Sequence, residues 1–164
     1  MPYRFENAVR IQETALIAVI RAKDSSQLVD AAKALAEGGC DVIEVTMTTP
    51  NALAVIEQTV QALGEQVLVG VGSVLDPETA RAAILAGAQY VVAPTLCIET
   101  IKMAHRYDKL CMPGAFTPTE ILTAFEYGAD MVKVFPTSLG GAGLVKAIKG
   151  PMPQIPLVPT GGVD

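Results

Sequence analysis

The sequence predicts an α/β fold, a (β/α)8 barrel of the TIM type that lacks its eighth βα unit. Three observations carry this. Short, apolar, β-branched segments alternate with segments of helical period, the signature of parallel strands joined by helices. Part of the pattern repeats: Gly39-Cys40-Asp41, Gly87-Ala88-Gln89 and Gly128-Ala129-Asp130 each join a helix end to a strand, 48 and 41 residues apart. Seven units of near-equal length exceed the five or six strands usual in a doubly wound sheet and favour the barrel. The sequence stops at Asp164, just after the seventh strand. Residues 1–164 therefore read as a single barrel domain truncated after strand seven, with two exposed sheet edges.

Each element has its own signal. After a helical lead-in, Leu16 to Ile20 is the first strand. Ser25 or Ser26 caps a helix whose Leu28, Ala31, Ala32 and Leu35 recur at helical spacing, and Gly38-Gly39 stops it. Asp41 to Thr46 is the second strand, Ala52 to Leu63 a helix, and Gln66 to Val71 the third strand. Asp76-Pro77-Glu78 opens the next helix with a cap, a proline at the first helical position and an acid in the first turn. Gln89 to Ala93 is the fourth strand, Glu99 to Tyr107 a helix, and Leu110 to Met112 a short fifth strand. Thr117-Pro118-Thr119-Glu120 is a capping box with proline at N1. Asp130 to Pro136 is the sixth strand, Gly143 to Lys149 a helix, and Ile155 to Val158 the seventh strand.

Composition narrows the function classes. Hydrophobic residues make up 51% of the chain, yet no apolar run approaches the roughly 20 residues that a spanning helix needs. Ala15 to Ile20 is soon followed by Arg21 and Lys23, and the N-terminus shows neither a basic leader nor a cleavage site. A cytoplasmic protein without a membrane partner is expected. A net charge of −5 with no basic run argues against nucleic acid. The three cysteines, Cys40, Cys97 and Cys111, lack metal-site spacing and read as small buried hydrophobes. The single histidine, His105, falls on what reads as an exposed helix face. Neither a metal nor a cofactor is expected.

The polar residues gather at one end of the strands. Barrel active sites lie at the C-terminal strand ends. Those ends carry Arg21, then Glu44 with Thr46 and Thr48, then Gly72-Ser73, Pro94-Thr95, Pro113-Gly114, Lys133 with Phe135, and Thr160-Gly161-Gly162. Lys133 interrupts a buried strand, where an ammonium is costly and burial lowers its pKa toward that of a usable amine nucleophile. Glu44 interrupts Val42-Ile43-Glu44-Val45 in the same way. Strand alternation puts Val42, Glu44 and Thr46 on one face, and Met131, Lys133 and Phe135 on one face. If both faces point inward, an acid and an amine meet in the barrel mouth. The alternative is a buried ion pair without chemistry. Gly70-Val71-Gly72-Ser73 lacks the third glycine of a dinucleotide fingerprint, so NAD is discounted. Gly140-Gly141-Ala142-Gly143 fits either a phosphate cradle or a plain turn, and Thr160-Gly161-Gly162 is the better phosphate candidate. Arg21 reads either as a countercharge or as a surface cap.

These residues carry a family resemblance. Val42-Ile43-Glu44-Val45-Thr46, Gly70-Val71-Gly72-Ser73-Val74, Met112-Pro113-Gly114, Val132-Lys133-Val134-Phe135-Pro136 and Pro159-Thr160-Gly161-Gly162-Val163 resemble the 2-keto-3-deoxy-6-phosphogluconate (KDPG) and 4-hydroxy-2-oxoglutarate (KHG) aldolase family, in order and over nearly the whole chain. The resemblance implies a metal-free class I pyruvate aldolase, usually a homotrimer, acting on a keto-acid sugar phosphate. It makes Lys133 the Schiff-base lysine and Glu44 the general acid/base. Thr160, Gly161 and Gly162 become part of the substrate and phosphate site, and Ser73 stands where many members have threonine beside the pyruvate carboxylate. Arg21, Pro94 and Phe135 complete the expected substrate-binding set with Thr48. Many members have arginine at the position of Thr48, and a hydroxyl anchors a carboxylate less strongly than a guanidinium. The expected substrates are therefore KDPG, its 6-phosphogalactonate epimer or 4-hydroxy-2-oxoglutarate. Two other readings stay open at this point: an isomerase or epimerase on a phosphate-binding barrel, and a non-catalytic sugar-phosphate binding fragment.

Overall fold

A computed structural model describes residues 3–21 and 27–163. In chain order these form α1 (Tyr3–Thr14), β1 (Ala18–Ile20), α2 (Leu28–Glu37), β2 (Val42–Thr46), α3 (Ala52–Leu63), β3 (Leu68–Gly72), α4 (Pro77–Leu85), β4 (Tyr90–Val92), α5 (Ile98–Arg106), β5 (Leu110–Met112), β6 (Gly114–Ala115), α6 (Pro118–Glu126), β7 (Val132–Val134), α7 (Gly141–Lys149) and β8 (Leu157–Pro159). Every strand pairing is parallel. One sheet runs β1-β2-β3-β4-β5 and the other β6-β7-β8.

The split between the sheets is a local matter. Pro113 separates β5 from β6 and has no N–H to give to a ladder. The expected fifth strand, Leu110 to Met112, forms as β5, and β6 is an extra piece beyond the proline. Around the break the wall continues: Asp130 N donates to the Cys111 carbonyl at 3.2 Å, and Lys133 N donates to the Pro113 carbonyl at 2.9 Å. Seven strand positions therefore follow one another in sequence order. Among the described residues the outer edges of β1 and β8 are unpaired, so the ring is open on one side. The first strand is also shorter than expected, because Leu16 is 59% exposed at this seam.

Alternation sorts the side chains into two cores. Ile43, Val45, Val69, Val71, Val91, Cys111, Val132 and Val134 pack outward with the helices. Val42, Leu68, Tyr90, Val92, Leu110, Met112 and Met131 pack inward, joined by Ile11 from α1. Helix α1 thus closes the lower end of the strand ring, and the upper end is left for a site.

The caps form as the sequence implies. Asp76 accepts from Thr79 N at 2.6 Å. Thr117 and Glu120 form the reciprocal box, with Glu120 N donating to Thr117 Oγ1 and Thr117 N donating to Glu120 Oε2. The repeated glycines have one cause: Gly39, Gly87 and Gly128 have φ of +91°, +111° and +90°, the left-handed turn that ends a helix before a strand. The expected cap at Ser25 or Ser26 lies outside the described residues.

Two expectations need correction. His105 is not on an exposed face: its Nε2 lies 3.1 Å from Asp130 Oδ2, and Asp130 also accepts from Cys111 N and forms an ion pair with Arg4. Cys97 is only half-buried beside the start of α5, whereas Cys40 and Cys111 are buried. Helix packing, which periodicity does not report, decides both.

Candidate active site

Glu44 and Lys133 sit at the middle positions of β2 and β7, and both point inward. They are 3% and 7% exposed, so neither is a surface charge. Each is the inward residue one alternation above the apolar floor, Glu44 above Val42 and Lys133 above Met131. Both line a cavity of about 670 Å³ floored by Val92, Met112 and Met131. The cavity opens along the seam between β1 and β8, where Ile11, Val19 and Val158 form its sides.

Burial and charge tune the pair in opposite senses. Burial pushes the Glu44 carboxyl upward, while Lys133 and, less strongly, Arg21 pull it back. Burial pulls the Lys133 amine below its usual 10.5, Glu44 opposes this, and Arg21 adds to the lowering. The two proton affinities thus shift toward each other, the direction that favours proton exchange between them. The Lys133 Nζ also lies 5.1 Å from the centroid of the Phe135 ring.

Two glycines make the space. A Cβ at Gly72 would collide with the Glu44 carboxyl, and one at Gly70 would collide with the Tyr90 ring. The Gly-Val-Gly run of β3 is therefore an inward face kept bare for its neighbours, which accounts for it without a nucleotide. At the end of β2 the Thr46 hydroxyl collects Thr48 Oγ1 at 2.9 Å, Thr49 Oγ1 at 3.3 Å and Arg21 Nε at 3.5 Å. Arg21 and Thr48 are exposed at the rim of the same strand ends.

The turn after β8 is tied to the turn after β7. Thr160 N donates to Thr137 Oγ1 at 2.9 Å, and Ser138 N donates to the Gly161 carbonyl at 2.7 Å. Gly161 and Gly162 have φ of +84° and +72°, which only glycine adopts without strain. Phe135 packs against Gly161, 3.2 Å from where a Cβ would stand. Thr160, Gly161 and Gly162 line the cavity with the acid and the amine.

The structure therefore gathers Glu44, Lys133, Thr160, Gly161 and Gly162 around one cavity, with Phe135 against them and Arg21 and Thr48 linked through Thr46. Ser73 and Pro94 lie at the same end of β3 and β4 but do not line that cavity. Ser73 has φ +59°, a left-handed position that turns the chain away from β3. Sequence reasoning missed Tyr90 and the two inward glycines. Alternation along β3 was the signal, since positions 68, 70 and 72 share the inward face.

Residues 8–164 match the family described as "Aldolase: KDPG and KHG aldolase". A 2-dehydro-3-deoxy-phosphogluconate aldolase of Pseudomonas aeruginosa is 35% identical over 157 residues, covering 93% of this chain and 70% of that protein. A 2-dehydro-3-deoxy-6-phosphogalactonate aldolase of Escherichia coli is 35% identical over 149 residues, covering 90% of this chain and 73% of that protein. Among solved structures, a KDPG aldolase from Legionella pneumophila, with pyruvate captured at low pH as a covalent carbinolamine, aligns with a TM-score of 0.83 at 31% identity. That alignment covers 90% of this chain and 71% of the other.

Proposed function

We propose, for a chain that belongs to the KDPG and KHG aldolase family, that it is a class I aldolase with Lys133 as the Schiff-base residue and Glu44 as the acid/base. Its substrates are 2-keto-3-deoxy-6-phosphogluconate, the 6-phosphogalactonate epimer or 4-hydroxy-2-oxoglutarate. One observation carries the reading: a buried amine and a buried carboxyl, on strands far apart in sequence, face the same cavity.

The chemistry follows from those positions. Neutral Lys133 attacks the C2 ketone, and the carbinolamine loses water to give an iminium, the electron sink for the next step. Glu44 supplies the proton for dehydration and then accepts the C4 hydroxyl proton as the C3–C4 bond breaks. The bonding pair flows into the iminium and leaves an enamine, while C4 departs as the carbonyl of an aldehyde such as glyceraldehyde 3-phosphate. Protonation at C3 and hydrolysis release pyruvate and restore the amine.

The remaining substrate groups go to the rim residues in this reading. Arg21 and the Thr46–Thr48 hydroxyls receive the carboxylate, and Ser73 and Pro94, at the ends of β3 and β4, are added on the family resemblance alone. The backbone N–H groups of Gly161 and Gly162, with Thr160, receive the phosphate. Phe135 covers the imine and shields it from water. No helix among the described residues is long and apolar enough to cross a membrane. A cytoplasmic homotrimer is part of the proposal, to be checked by sedimentation.

Incubation with pyruvate and borohydride should place one pyruvate-derived adduct on Lys133, and a coupled assay should detect pyruvate release from the keto-acids. Turnover without a trapped imine would favour an isomerase or epimerase. Ligand binding that Lys133→Met leaves unchanged, with no pyruvate released, would favour a binding module.

A further inference from the structure

Tyr90 is the largest fully buried side chain among the described residues, and the site as built so far gives it no task. Its place is set by register. Gly70 on β3 is the partner of Tyr90 on β4 and also of Glu44 on β2. The Tyr90 Cε2, Cζ and Cδ2 atoms occupy the space a Gly70 Cβ would fill. Cζ bears the hydroxyl, so the hydroxyl end of the ring lies over Gly70, one inward position below Gly72, which the Glu44 carboxyl covers. Among the described residues that hydroxyl has no hydrogen-bond partner. A buried phenol O–H left unpaired is costly, and one bound water is the usual remedy where a second polar group lies near.

We propose that Tyr90 is a positioning residue for Glu44: its hydroxyl donates through one bound water to the Glu44 carboxylate from below. This rests on the reading of Glu44 as the proton carrier. The carboxyl then has two kinds of neighbour. Lys133 on β7 and Arg21 beyond β1 act as charges, and Tyr90 acts as a fixed donor from the floor. Burial holds the Tyr90 phenol well above its ordinary value and the Glu44 charge adds to this, so the group stays a donor across the working range. Cys40, at the foot of β2, is the other titratable group facing it. A donor aimed at the carboxylate stabilises the ionised form and fixes the rotamer that covers Gly72. The bare inward face of Gly70 is what makes room for the ring.

The test is the pH dependence of pyruvate labelling at Lys133. Tyr90→Phe keeps the ring and removes only the hydroxyl. Its expected effect is to move the acid limb of the labelling rate upward by about one pH unit, with pyruvate affinity unchanged. In a Glu44→Gln background the added Tyr90→Phe change should leave the residual rate unaltered, because no carboxylate remains to receive the bond. An unmoved limb, an equal fall in rate at every pH, or failure of the Phe variant to fold would each overturn the assignment. Wild-type protein that takes no label would instead sink the aldolase reading, so the two failures are distinct.

Discussion

Adjacent inward glycines on β3 should give opposite phenotypes when each is changed to alanine. Neither has a positive φ, so alanine strains neither backbone and the outcome depends on what its methyl group meets. At Gly72 it meets Oε1, Cδ and Cγ of Glu44, the far end of a flexible side chain. That end can swing aside, at a cost of about 0.5–1.5 kcal/mol for an off-rotamer torsion. For a chain of this size the melting temperature should fall by only about 2–4 °C per kcal/mol. The carboxyl, however, leaves its place over the cavity, and a misplacement near 1 Å costs on the order of 100-fold in rate. Gly70→Ala meets a rigid, fully buried Tyr90 ring, so it should lose about 1–3 kcal/mol of stability by overpacking. Thermal melting and borohydride trapping of pyruvate on the same samples separate the two effects. Gly72→Ala trapping at the wild-type rate would refute the reasoning. So would an equal loss from Gly72→Ala in a Glu44→Gln background.

Other expectations follow from the same site. Lys133→Met should abolish trapping and stabilise the fold at neutral pH, since the variant no longer buries an amine. The wild-type lysine, with its folded pKa below 10.5, makes a contribution that is fully present above 10.5 and lost as pH falls through the folded value. Denaturant melts of the two proteins should therefore converge at alkaline pH. Glu44 runs the other way: its raised folded pKa gives a contribution present below 4.5 and lost as pH rises through the folded value, so Glu44→Gln should flatten that limb. Thr117→Ala removes the capping box of α6 and should cost about 1 kcal/mol in urea melts with trapping unchanged. Trapping lost along with the cap would place α6 in the site.

Much of the architecture was legible along the chain because its causes are local. A helix cap, a left-handed glycine after a helix and the alternation of a strand each depend on a few neighbouring residues. Asp76, Thr117, Gly39, Gly87 and Gly128 all do in space what their spacing implies. Lys133 and Glu44 stood out for the same reason: a charge inside an apolar strand contradicts its surroundings, and alternation tells which neighbours share its face. The sequence carried the elements, their order and the two ionisable groups.

The tertiary structure decided what depends on register between distant strands. That Glu44 and Lys133 share one cavity is a matter of how β2 and β7 curve toward each other, which no local pattern encodes. The pairing of Gly70 with both Glu44 and Tyr90 turned a run resembling a nucleotide motif into room for two side chains. Likewise His105 found Asp130 only through the packing of α5 on the sheet, and Thr46 drew Arg21 and Thr48 together across two strand ends. Local signals report the dihedral and burial preferences of single segments; a site is built from side chains that meet across them, and only the packed sheet determines which ones meet.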